Sequence, residues 1–225
     1  AGYHIFNLGS SAQTMIQTEK LAKRYIQKLD PTTVVIDVYP GMFTADGVES
    51  TLDLLSNDNK IWYYWNLAFH HENIKVWNTF LYRSLREISP LPIAEDTDQT
   101  GTDKYVSGGY VEKALIFSEK MEKQEFVYKE KKEQLLAFFR LIDFLKARNL
   151  KIMLFKSPMQ SVVCYKNADK FKHLIQKLDL KYYDFGHMKN LGDSLDFYNA
   201  MHLNQAGTAK YNGLLLDKVF GKVKE

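Results

Sequence analysis

Residues 32–40 read TTVVIDVYP, and this stretch limits the possible folds more than any other. It is a continuous, largely β-branched run that stops in a proline. Strands of that kind are buried on both faces, as in a parallel sheet covered by helices. The residues before it fit that frame. Ala12, Met15, Ile16, Ala22, Tyr25, Ile26 and Leu29 recur at three- and four-residue spacing, the signature of an amphipathic helix. Asp30-Pro31 ends it, because a proline pushes the residue before it out of helical conformation. Upstream, Ile5–Leu8 reads as a short buried strand, which makes strand, helix and strand a βαβ unit.

The rest of the chain continues the alternation, with one interruption. Residues 47–90 are predicted to be helical and are unusually aromatic, with IWYYWNLAF followed by NIKVWNTFLYRSL. Ser89-Pro90-Leu91-Pro92 breaks this pattern, and the polar, glycine-bearing stretch from Ile93 to Tyr110 is expected to be a long loop or lid. A long helix with Leu135, Phe138, Phe139, Ile142 and Leu145 on one face then leads into a strand, KIMLFKSP. A helix marked by Phe171, Leu174, Ile175 and Leu178 and a strand, LKYYDF, follow. A final helix runs from about Asn204 to Val219. The expected class is α/β: a mainly parallel sheet of three or more strands with helices on both faces. One domain, 1–225, would carry a helical insertion and loop at about 47–125.

Composition narrows the function classes. The 225 residues are 45% apolar and 14% aromatic, which suits a folded chain with a sizeable core. A net charge of +3, with lysines dispersed over helix faces, argues against a nucleic-acid partner. The single cysteine, Cys164, excludes an internal disulfide and a cysteine-based zinc site. The aspartates of AEDTDQTGTD lack the alternate spacing and closing glutamate of a calcium loop, and His70-His71 reads as packing on an aromatic helix. No metal is therefore expected.

In open α/β sheets ligands gather beyond the carboxyl ends of the strands. Four segments are predicted there: GSSAQT, DVYPGMF with Tyr39, KSPMQ, and the tract DFGHMKNLGDSLDFYNAMHLN. The last is the most informative. In FYNAMHLN, His202 stands just before a helix whose expected N-cap is Asn204, where it can reach a serine at a neighbouring strand end. There it would take the hydroxyl proton as general base, and Asn199, three residues earlier, could orient its ring.

Taken together, FNLGSSAQT, VVIDVYP, IMLFKSP and above all FYNAMHLNQAGTAKYNGLL resemble the SGNH/GDSL hydrolase superfamily, especially its bacterial cell-envelope branch. The closing stretch is similar to that family's Asp-x-x-His followed by Leu-Asn and a glycine. The resemblance implies a flavodoxin-like three-layer α/β/α sandwich. It also implies serine ester hydrolysis or O-acyl transfer on acylated carbohydrate or lipid, with no metal and no cofactor. His202 would be the base, and Gly9, Gln13 and Tyr39 would line the oxyanion and substrate site. A cell-envelope location follows from the same likeness.

Two departures qualify the activity. The position matching the family's aspartate is Asn199, which can orient His202 but lacks the charge that stabilises an imidazolium. Gly9-Ser10-Ser11 also fits the family in two registers. In one, Ser11 (or its neighbour Ser10) is the nucleophile. In the other, the stretch is the family's second block, whose glycine N–H serves the oxyanion hole, and the nucleophile strand belongs upstream of residue 1. The abrupt start suggests a fragment or processed form, near a membrane through an anchor that has been removed. The rival expectation is a non-catalytic glycan-binding or assembly module on the same fold, with the aromatic insertion docking a partner.

Overall fold

The structure is a computed structural model, and it describes residues 4–89, 104–112 and 122–221. Its centre is a three-stranded parallel sheet in the order β1 (Thr33–Asp37), β5 (Lys151–Lys156), β7 (Lys181–Asp184). Val34 lies opposite Ile152 and Leu154 opposite Tyr182, so all three carboxyl ends emerge on one side. Ile152, Met153 and Leu154 of β5 are buried, as expected for a strand with a neighbour on each side. The α/β class and the mainly parallel sheet are thus as expected from the hydrophobic pattern.

Helices α1 (Met15–Leu29) and α6 (Lys132–Lys146) pack against each other beside this sheet. Their contact includes a charged clamp. Glu19, almost wholly buried, accepts from Arg140 Nε at 2.8 Å and Nη2 at 2.6 Å, and from Lys23 Nζ at 2.6 Å. Phe43 and Phe138 meet edge to face 5.3 Å apart in the same core, a favoured ring geometry. Phe43 belongs to the short helix α2 (Gly41–Thr44), which follows β1 closely.

The aromatic middle is helical. It comprises α3 (Val48–Asn57), a 3-10 turn at Ile61–Tyr64, α4 (Trp65–His70) and α5 (Ile74–Ile88). Of the expected loop 93–110, residues 93–103 lie outside the described part. The remainder forms an antiparallel hairpin, β2 (Lys104–Val106) with β3 (Tyr110–Glu112). A separate parallel pair joins β4 (Gln124–Val127) to β6 (Val163–Lys166), and α7 (Ala168–Gln176) follows. Among the described residues no helix is long and apolar enough to cross a membrane.

The expected strand at Ile5–Leu8 does not form. Residues 4–10 have no regular structure, and Ile5 and Phe6 are half exposed. Their backbone is satisfied elsewhere: Asn7 N–H donates to Gly108 O at 2.7 Å, and Asn7 Nδ2 donates to Gly109 O at 3.1 Å. Both glycines have positive φ at the tip of the β2–β3 hairpin, and a Cβ on Gly109 would stand 2.3 Å from Asn7 O. The apolar run is therefore clasped by a distant turn instead of being paired in the sheet, and the opening βαβ unit becomes α1 followed by β1.

Candidate functional site

His202 sits on a tight hairpin, β8 (Phe197–Asn199) with β9 (His202–Leu203), in which Asn199 and His202 are paired across the two-residue turn Ala200-Met201. Asn199 Oδ1 accepts the Met201 N–H at 3.0 Å, an Asx-turn that explains why this residue type starts the turn. The same oxygen accepts the His202 N–H at 3.0 Å and faces His202 Nδ1 at 2.9 Å. Two backbone donors identify the atom as oxygen, so Nδ1 must carry the proton. The lone pair then lies on Nε2, which makes no hydrogen bond among the described residues, on an exposed ring.

The hairpin is fixed to helix α8 (Gln205–Phe220) by buried polar contacts. Asn204 caps α8, its Oδ1 accepting from Gly207 N at 3.0 Å while its Nδ2 donates to Leu195 O at 2.7 Å. Asn204 N–H donates to Asp196 O at 3.0 Å, and a Cβ on Gly207 would come within 2.0 Å of that carbonyl. The Asp196 carboxylate is buried; Lys210 Nζ reaches both its oxygens at 2.8 and 2.9 Å, and Gly192 N–H donates to it at 2.9 Å. Burial alone would raise its pKa, but the Lys210 and Gly192 contacts outweigh burial and hold it below the usual carboxylate value.

This assembly meets the carboxyl edge of the sheet. Beyond β5, Met159 N–H donates to Gly186 O at 3.0 Å and Gln160 N–H to Ala200 O at 3.0 Å, lacing the exits of β5 and β7 to the His202 turn. Tyr39, at the exit of β1, packs with Met201 against the cluster of Met159, Val163 and Ala200. Burial, with Asp37 nearby, raises the Tyr39 phenol above its ordinary value, so it is a neutral hydroxyl at neutral pH. The structure thus brings Tyr39, Asn199 and His202 to one edge.

Gly9, Ser10, Ser11 and Gln13 precede α1. Gln134 links the start of that helix to the same side of the sheet, accepting from Ile16 N at 3.1 Å and donating to Ala45 O at 3.2 Å just past α2. Within the turn, Gln13 Oε1 accepts the Ser10 N–H at 2.8 Å and Asn7 Oδ1 accepts the Gly9 N–H at 2.9 Å. An oxyanion reaching the Gly9 N–H would therefore have to displace the Asn7 side chain. The Ser10 hydroxyl is shielded from solvent without a hydrogen-bond partner, whereas Ser11 is exposed. No hydrogen bond joins either serine to His202 among the described residues.

Sequence reasoning missed a second polar cluster at the strand exits. Ser157 donates to Asp37 through Oγ at 2.6 Å and N–H at 3.1 Å, tying the end of β1 to the end of β5. Burial pushes the Asp37 carboxyl up despite these bonds. Tyr211 of α8 is buried beside the pair, its hydroxyl making no hydrogen bond of good geometry. The available signal was a charged residue closing a β-branched strand and a serine closing its neighbour. At the start of α1, beside Ile16 and Gln134, a cavity of about 410 Å³ is also bounded by Asp46, His70, His71, Glu72 and Lys131. There His71 Nε2 is engaged with Thr51 Oγ1 at 2.9 Å, and burial lowers the His71 pKa. No group of three or more His, Cys, Asp or Glu side chains is arranged to hold a metal among the described residues.

Fold and site together define an α/β protein with a histidine–amide pair at the carboxyl edge of a parallel sheet. Comparison with known protein families, curated proteins and solved structures gave no match to this chain.

Proposed function

We propose that the chain is an SGNH-hydrolase-like protein with a flavodoxin-like sandwich, acting as a serine esterase or O-acyltransferase on acylated carbohydrate or lipid of the cell envelope. The observation that carries this reading is the 2.9 Å contact from Asn199 Oδ1 to His202 Nδ1, which leaves Nε2 as an exposed, correctly tautomeric base. In the reaction a serine Oγ attacks the ester carbonyl as Nε2 takes its proton. The imidazolium returns that proton to the leaving alkoxide, and water or an acceptor hydroxyl then releases the acyl group. Asn199 orients the base but offers no charge to the imidazolium, so turnover is slow.

A second reading, a non-catalytic glycan-binding module, is favoured by the lack of a hydrogen bond between either serine and His202. Incubation with a fluorophosphonate probe and short-chain acyl esters separates the two. Esterase turnover and probe labelling that disappear in His202→Ala, with the label mapped to Ser10 or Ser11, support the enzyme. If the chain stays inert and unlabelled even as Asn199→Asp, while retaining glycan binding, the hydrolase reading fails.

A further inference from the structure

His71, in the turn between α4 and α5, ends a chain of polar side chains that starts at α1. Thr14, Gln17, Thr51 and His71 are all buried. Gln17 Nε2 donates to Gly47 O at 3.0 Å, which fixes the orientation of its amide, and its second proton goes to Thr51 Oγ1 at 2.8 Å. Gln17 Oε1 accepts from the Thr14 hydroxyl. A Cβ on Gly47 would stand 2.8 Å from Gln17 Nε2, so the chain closes directly against backbone. Thr51 has one hydroxyl proton to give. Gly47 O already accepts from Gln17 and from Thr51 N–H at 2.9 Å, so neither of its lone pairs is free, and the Thr51 hydroxyl donates to His71 Nε2 at 2.9 Å. His71 is therefore neutral, with its own proton on Nδ1.

That arrangement has no place for a second proton on the ring. An imidazolium would donate from Nε2 to Thr51 Oγ1, which already receives Gln17, and would leave the Thr51 proton buried without an acceptor. The charged and titratable groups around His71 are His70 and Glu72 on its own segment, Asp46 before α3, and Lys131 and Glu133 at the start of α6. Burial is the largest influence and disfavours the charged ring, as do His70 and Lys131; Asp46 favours it and is outweighed. Asp46 Oδ1 is also engaged, accepting the Val48 N–H at 3.0 Å. Among the described residues, no other hydrogen bond joins residues 65–79 to α1 or α3. Further along α5, Arg83 donates to Leu55 O and Asp58 O, an anchor that does not pass through His71.

We propose that the Thr51–His71 hydrogen bond is an acid-released latch, which holds the turn between α4 and α5 to α3 and α1 at neutral pH and frees it when the imidazole takes a proton. The proposal does not depend on the reading of His202. The folded-state pKa of His71 lies below the unfolded value of about 6.5. The latch is therefore fully closed above that value and loosens as pH falls toward the lower, folded-state one. Amide exchange, expressed as protection factors to remove its intrinsic pH dependence, reads the release. Protection over residues 66–77 should fall by roughly threefold or more between about pH 7 and pH 5, while that of Leu154 in β5 holds. His71→Gln, whose amide oxygen can accept from Thr51 without titrating, should abolish the fall, and His70→Gln should preserve it. No fall in the wild type, a fall shared by Leu154, or one that persists in His71→Gln or vanishes in His70→Gln overturns the proposal. Nitrogen-15 spectra of the wild-type imidazoles test it without any variant. His71 should carry its neutral proton on Nδ1 and titrate below about 6.5; an Nε2–H tautomer, or titration at or above that value, overturns the latch.

Discussion

Asn199 Oδ1 is shared among three donors, Met201 N–H, His202 N–H and His202 Nδ1–H, so one amide oxygen both shapes the turn and aims the imidazole. A carboxylate could accept the same three bonds. Asn199→Asp should therefore keep the hairpin and add the charge that stabilises the imidazolium, raising esterase turnover roughly tenfold or more. His202→Ala in that background should return it to baseline. An Asn199→Asp protein with an intact hairpin and no gain would show that no nucleophile reaches Nε2.

Two glycines of α8 give an internally controlled test of the hairpin anchor. An added Cβ at Gly207 meets Asp196 O at 2.0 Å, a backbone atom that cannot swing away, whereas at Gly213 it meets nothing within 4 Å. Gly207→Ala should cost about 2 kcal/mol or more, lowering the melting temperature by roughly 5 °C at this size. Gly213→Ala should be neutral or stabilise by up to about 1 kcal/mol. Calorimetry of both variants decides it.

Acid should loosen the same anchor. The Asp196 carboxylate is held below its unfolded value of about 3.9. Its contribution is therefore fully present above that value and is lost as pH falls through the lower, folded-state value. Lys210 is half exposed, so the contribution is about 1–2 kcal/mol. Asp196→Asn should be less stable than the wild type at pH 7, with the gap closing below about pH 4. Melting curves across pH 3–7 should show the two lines converging on the acid side; parallel lines would remove Asp196 from the anchor.

The α1–α6 contact should show measurable coupling. Glu19 is buried between Lys23 and a two-pronged Arg140, so a double-mutant cycle of Glu19→Gln and Arg140→Ala should return about 1 kcal/mol of interaction free energy. The value is moderate because Arg140 is half exposed and remains partly solvated in the pair. Additive denaturation midpoints would mean the clamp contributes nothing.

These contacts mark what could be read from the chain. KIMLF announces itself because a central parallel strand needs no alternation, and TVVID by its unbroken β-branched run, although it is an edge strand in which only Ile36 is buried; α1, α6 and α7 show clear helical spacing. Ile5–Leu8 misleads for the complementary reason: a short apolar run has no period, and its pairing with Gly108 and Gly109 lies a hundred positions away in sequence. QEFV and VCYK are too short to stand out, with four residues each, so the β4–β6 pair is not legible in the sequence. His202 and Asn199 were legible as chemistry, but not the hairpin between them, because Ala200-Met201 carries none of the usual turn residues. Asp196 and Lys210, which hold that hairpin to α8, look like ordinary surface charges in the sequence.

The clasp of Asn7 by Gly108 and Gly109 has a kinetic consequence. The β1 to β5 pairing of Thr33 with Lys151 is at least as distant in sequence, but the clasp, unlike that sheet, is made of exposed hydrogen bonds beside half-exposed Ile5 and Phe6, the kind of contact that opens locally. Helix α1 and the central sheet can therefore stay in place while the Gly9–Ser11 turn loosens. Gly109→Ala, strained at a φ of 84° and only 2.3 Å from Asn7 O, should open the clasp. Amide exchange would then speed up at Asn7 and Ser10 long before it does at Leu154. Among the segments assigned to the proposed chemistry, the one that carries the two serines should be the first to come undone.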